Sequence, residues 1–214
     1  MRNLSVLKRC AAIAGISGMP FLFSSDRRLP GVYHVWGRAR KGQWLFRDDE
    51  DRQHFEHLIN RHLSSVEHRD KRGRIVVCLR GLVRLCARNL LFSHFHLVLW
   101  QRQPGGIESL MKRVLVAYAR YHHDKYGTSG QLLEGNYRAR RITDRSSFCW
   151  RIAYVHFNRK SEGLDWRFST HRWFAGDDDP PSWIEVDATL ERFGGRAEYL
   201  RYLEQYRELR LPEP

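Results

Sequence analysis

Two histidines one residue apart, His94 and His96, lie in the run Ser93-His94-Phe95-His96-Leu97-Val98-Leu99. The run is rich in strand formers, and along a strand alternate side chains share a face. The two imidazoles therefore point one way, about 7 Å apart, while Phe95 and Leu97 point the other. Two rings so placed can chelate one divalent ion. In a chain with 11 histidines the pattern by itself is more often two ordinary side chains. A third donor would have to come from elsewhere, because no HExxH-type helix is present. Tyr154 and Asn158 form the second constellation. They are four residues apart in a helical stretch, so they share a face that Trp150 extends, with Ile152 and Val155 turned to the side. This is either a nucleophile beside an amide ligand or a half-buried tyrosine near a helix end. Among rival tyrosines, Tyr118 and Tyr121 fall on an apolar helical stripe suited to core packing. Tyr126 and Tyr137 flank a loop and lack a paired ligand.

These residues need elements to hold them. Val32–Trp36 alternates between Gly31 and Gly37 and predicts a strand. Asp48 offers a helix cap with Asp49, Glu50 and Asp51 in the first turn; Phe55, Leu58, Ile59, His62 and Val66 extend that helix over 49–67. Residues 75–85 and 90–100 read as a β-hairpin broken at Arg88-Asn89. Gly105-Gly106 opens a second helix, apolar at Ile107, Leu110, Met111, Val114, Tyr118 and Tyr121, that ends near Tyr126-Gly127. After a loop over 127–135, Tyr137–Ile142 suits a fourth strand, and Ser146 or Ser147 caps a third helix through about Lys160, with Gly163 as its stop. The order β-α-β-β-α-β predicts an α+β, ferredoxin-like antiparallel sheet, with the third helix, which carries Tyr154, added to it. Asp177–Pro181 suits a linker, followed by short helices over 185–193 and 196–209.

The 214 residues suit one compact domain with extensions, and 42% hydrophobic content is ample for a core. No run of about 18 apolar residues exists, which excludes a helical membrane span. Cys10, Cys78, Cys86 and Cys149 lack CxxC spacing, which argues against a structural zinc site or disulfide scaffold and fits a reducing, cytoplasmic setting. The formal net charge is +13, and only six of the 37 basic residues are Lys. Guanidinium forks suit phosphate oxygens, so a polyanion is the expected partner. The charge is uneven: residues 171–214 hold six Arg against ten Asp and Glu, and the body carries the positive excess. Arg138, Arg140 and Arg141 on the fourth strand, with Lys112, Arg113 and Arg120 on the second helix, are candidate phosphate contacts. His171-Arg172-Trp173-Phe174 suits either a nucleic-acid contact or packing of the tail. Residues 1–29 are expected to be an extension. Cys10–Phe23 is mildly apolar behind Lys8 and Arg9, but no Ala-x-Ala site follows it.

Several stretches, in serial order, resemble the HUH single-tyrosine transposases, in the branch associated with repetitive extragenic palindromes. They are Gly31-Val32-Tyr33-His34-Val35 with Gly37-Arg38, Leu45–Asp51, His94-Phe95-His96-Leu97, Ala119-Arg120-Tyr121, Gly130-Gln131-Leu132, Glu134-Gly135-Asn136-Tyr137, Tyr154-Val155-His156-Phe157-Asn158 and Asp165–Thr170. The resemblance implies a catalytic domain over 30–175, followed by an acidic linker and helical tail over 176–214. By it, His94, His96 and Asn158 ligate a divalent metal, Mg or Mn, and Tyr154 is the nucleophile. The implied activity is a single-stranded DNA endonuclease and strand transferase acting at imperfect palindromes or hairpins through a 5′-phosphotyrosine, as a monomer or homodimer. A free tyrosine ionises near pH ~10, so the metal or a nearby Arg must assist. The chain departs from the family at two places. Leu91-Phe92-Ser93 replaces Met-Pro-Asn before the first motif histidine, and the proline that follows the family's nucleophile helix is missing after Asn158. Two other readings stay open: a catalytically silent DNA-hairpin-binding module, and a metal-dependent phosphoester hydrolase.

Overall fold

The computed structural model describes residues 29–158 and 167–210. The expected extension, apart from Leu29, lies outside them, as do Lys160, Gly163 and Asp165-Trp166. Four strands, β1 (Gly31–Arg38), β2 (Val83–Leu91), β3 (His94–Gln101) and β4 (Arg138–Ile142), form one sheet in the order β2-β3-β1-β4. All three pairings are antiparallel. With α1 (Asp49–Leu63) after β1 and α2 (Gly106–Tyr126) after β3, this is the β-α-β-β-α-β arrangement expected from the sequence.

Alternation sorts the sheet into two faces. Tyr33, Val35, Phe95, Leu97 and Leu99 turn toward α1 and α2, where Phe55 meets both Phe95 and Tyr118 at ring distances of 5.2 and 5.1 Å. Gly37 makes the close packing feasible: a Cβ there would lie 2.7 Å from the Phe95 ring. Tyr118 Oη donates to Leu45 O (2.7 Å), so the phenol of this core tyrosine is satisfied. The other face receives α3 (Arg145–His156).

Local chemistry explains where elements depart from expectation. Asp48 caps α1 by accepting from the Asp51 amide (2.9 Å), but the helix stops at Leu63 because Ser64 is extended, and Val66, 67% exposed, joins no apolar face. The hairpin turn is Phe92-Ser93 rather than Arg88-Asn89, and residues 75–82 lie outside the strands. Arg88 and Asn89 are fully buried inside β2 because each has partners: Arg88 Nη2 donates to Glu56 (2.9 Å) and Nη1 to Phe168 O (3.0 Å), and Asn89 Nδ2 donates to Val155 O (2.8 Å). The cap of α3 is Asp144, accepting from the Ser147 amide (2.8 Å), not Ser146 or Ser147. The helix ends at His156, so Asn158 stands just beyond it.

Three C-terminal helices, α4 (His171–Ala175), α5 (Val186–Leu190) and α6 (Arg196–Arg210), pack into the same core through Trp173, Phe174, Leu190, Phe193 and Tyr199. His171, Trp173 and Phe174 are buried and pack the tail onto the core, while Arg172 keeps its side chain partly exposed. The tail also covers the outer edge of β2: the Leu90 amide donates to Phe168 O, Thr170 to Arg88 O and Glu185 to Leu85 O. Arg84 pairs with Glu185 beside that last bond.

Candidate active site

The register decides which side chains meet. His94 lies opposite Arg38 and Leu91, and His96 opposite Trp36 and Asn89. On the far side of β1, Arg138 lies opposite Trp36 and Arg140 opposite His34. Directly opposed residues share a face. One face therefore carries His34, His94, His96, Arg38, Arg138 and Arg140.

The helix α3 is pinned above this face. Ile152 and Val155 are buried, and the Asn89 bond to Val155 O ties the end of the helix to the strand position opposite His96. Below it, His156 bonds Tyr199 Oη (2.8 Å) and Thr170 Oγ1 (2.7 Å), anchoring the same turn to the tail. Tyr154 is thereby held with its ring 5.4 Å from that of His96 and 5.9 Å from that of His34, edge-on to both. It stacks on Trp150 at 5.5 Å, and the Arg151 guanidinium lies 5.2 Å from the phenol ring. A cavity of about 370 Å³ opens here, lined by His94, His96, Tyr154 and Asn158 together with Arg38 and Arg138. Glu134 and Asn136 reach it from the loop before β4, which the Glu134 amide fastens to Arg38 O (2.8 Å).

Electrostatics favour neutral rings. Burial, reinforced by the charge of Arg151, lowers His34 from 6.5 to about 3. Burial also holds His96 well below 6.5, with His34, His94 and Arg151 adding to the effect. Neutral imidazole is the form that ligates metals. Burial lowers the Arg151 guanidinium too, opposed by Tyr154 and aided by Arg140. One ring nitrogen of each motif histidine is engaged: His94 Nδ1 with Ser93 Oγ (3.0 Å) and His96 Nδ1 with His34 Nε2 (2.9 Å). Ligating histidines characteristically use their second nitrogen in this way. Two imidazoles and an amide oxygen suit a divalent ion that accepts mixed N/O ligation, and Mn²⁺ tolerates imidazole better than Mg²⁺. Among the described residues no three His, Cys, Asp or Glu side chains could hold a metal ion, so the fit depends on Asn158 as the third donor.

The structure brings together Tyr154, Asn158, His94 and His96 within one chain. Of the basic candidates, Arg138 lines the cavity and Arg140 shares its face, exposed. Arg141 turns to the opposite face and donates to Tyr33 Oη (2.7 Å) and Pro30 O (2.6 Å), a strap on the start of β1. Lys112, Arg113 and Arg120 belong to α2, across the sheet from the cavity, and Arg120 pairs with Asp124. Sequence reasoning assigns no role to His34 or Arg151. Helical spacing could have revealed Arg151, three residues before Tyr154.

No family model matches the chain, and no curated protein matches it in sequence. Among solved structures it is similar to a REP-associated tyrosine transposase bound to a REP hairpin, at 18% sequence identity and a TM-score of 0.49. The match covers 80% of this chain and 93% of that one.

Proposed function

We propose that this chain is a metal-dependent, single-strand-specific DNA endonuclease and strand transferase that cleaves at imperfect palindromes or hairpins. The observation that carries the reading is the convergence of the Tyr154 phenol with His94, His96 and Asn158 on one cavity. His94, His96 and Asn158 are the residues that hold the divalent ion, Mg or Mn. When bound, that ion neutralises non-bridging phosphate oxygens and so favours attack at phosphorus.

The remaining work falls to the chain. Arg38 and Arg138 at the cavity rim take neighbouring phosphates, and the ring of Trp36, which also lines the cavity, offers a surface for an unpaired base. Arg151 stabilises negative charge developing on the Tyr154 oxygen. Tyr154 Oη bonds to phosphorus and the bond from phosphorus to the 3′ oxygen breaks. The phenol proton passes to solvent, and the departing oxygen takes up a proton to become a 3′-hydroxyl. The product is a 5′-phosphotyrosine ester. It retains the phosphodiester bond energy, so a second DNA end can reverse the exchange, as DNA transposition requires.

The test is a covalent adduct. Incubated with Mn²⁺ and a hairpin-bearing single strand, the protein gives a denaturant-resistant gel-shifted species, and Tyr154→Phe abolishes it. Hairpin binding with no adduct would identify a silent binding module. Cleavage indifferent to Tyr154→Phe would identify a hydrolase.

A further inference from the structure

The third histidine, His34, sits on the central strand β1 and is 4% exposed. Its ring stacks on Trp36 at 4.8 Å, lies side by side and nearly coplanar with that of His96 at 5.0 Å between centroids, and meets Tyr154 edge-on at 5.9 Å. His34 Nε2 and His96 Nδ1 are 2.9 Å apart in a buried hydrogen bond. Such a bond has one N–H and one lone pair, and only two tautomeric arrangements satisfy it. If His34 donates, the proton of neutral His96 is on Nε2 and the ring has no lone pair for a metal. If His96 donates from Nδ1, its Nε2 lone pair is exposed to a ligand.

We infer that His34 is a positioning residue that accepts the Nδ1–H of His96 and so presents His96 Nε2 to the metal. The inference rests on the metal reading above. Carboxylates, backbone carbonyls and waters ordinarily take this proton from a ligating histidine. A neutral imidazole does so here, adding no negative charge, so the ion keeps its full charge for the phosphate. Stacking on Trp36 and the edge-on contact with Tyr154 fix the acceptor's direction, which a solvated side chain could not do.

The test combines nitrogen-15 spectra of the metal-free protein with Mn²⁺ titration followed by electron paramagnetic resonance, in wild type, His34→Gln, His34→Leu and His96→Ala. Wild type shows His96 protonated on Nδ1. His34→Leu has similar volume but no acceptor; it loses that signature and binds Mn²⁺ about 10- to 100-fold more weakly. His34→Gln returns an acceptor oxygen and restores both readouts to near wild type. The inference is overturned if wild-type His96 carries its proton on Nε2, or if His34→Leu binds Mn²⁺ like wild type while His96→Ala does not; the metal reading survives both. If wild type and His96→Ala bind Mn²⁺ alike, or neither binds, the metal reading fails and this inference falls with it.

Discussion

The two faces of the sheet are built from alternate residues of the same strands, yet they differ in kind. Under α1 and α2 the packing is by Phe46, Phe55, Phe95 and Tyr118, rings set against rings with the one phenol satisfied. Under α3 it is by imidazoles, an arginine, an indole and a half-buried phenol around a cavity. Ordered side chains on the second face are held by hydrogen bonds and stacking. The comparison teaches that stability and chemistry can be divided across a thickness of one sheet, so that either face can change with limited damage to the other.

The strongest test of that division is Phe55→Ala, which should cost about 3–5 kcal/mol of stability in urea unfolding, by cavity formation in a closed core. Tyr154→Phe removes one hydroxyl from an open site and should cost less than about 1 kcal/mol while eliminating the adduct. Similar costs for the two would erase the distinction. A medium effect is expected for DNA binding. Replacing Arg138 and Arg140 with Ala should make the dependence of log K on log salt shallower, by about 0.7 for each single-strand phosphate that is no longer neutralised. The same change at Lys112 and Arg113, on the far layer, should leave that slope as it was. The reverse result, a shallower slope only for the Lys112 and Arg113 pair, would move the DNA to the other face.

The smallest effect concerns protons in the apolar layer. Burial, ahead of the opposing bond to Val77 O, lowers His62 from its ordinary 6.5. Below 6.5 the unfolded chain therefore binds a proton that the folded chain does not, and stability falls as pH drops until the folded value is reached. The slope from one histidine cannot exceed about 1.4 kcal/mol per pH unit. His62→Gln should flatten the stability curve below pH 6.5 by a fraction of that, and an unchanged curve would show that His62 titrates alike in both states.

Much of this is legible in the residues themselves. Period-two and period-3.6 patterns yield the order of strands and helices, and Asp48 with three acidic residues behind it announces α1. The spacing of His94 and His96 points to their shared face, whereas Tyr154 and Asn158 line one cavity although Asn158 lies past the end of α3, outside the helical spacing that paired them. What pattern alone cannot convey is partnership. Arg88-Asn89 looks like a break because polar residues usually face water, and only the positions of Glu56, Phe168 and Val155 make them interior. His34 stands in plain view in Val32–Trp36, but its meeting with His96 depends on β1 lying beside β3, a non-local pairing that no local period encodes. The cap of α3 escapes the pattern for a different reason: Asp144 and the two serines all have capping chemistry, and tertiary placement chose among them.

The sheet's two rims have different fates. Residues from the tail close the β2 rim, whereas β4, at the other end, carries the exposed guanidinium groups of Arg138 and Arg140. A second copy aligning itself rim to rim would bring like charges together, and edge pairing between molecules is disfavoured. On the proposed function the same border would suit a chain of phosphates, so one row of arginines would serve both against self-stacking and toward a polyanion.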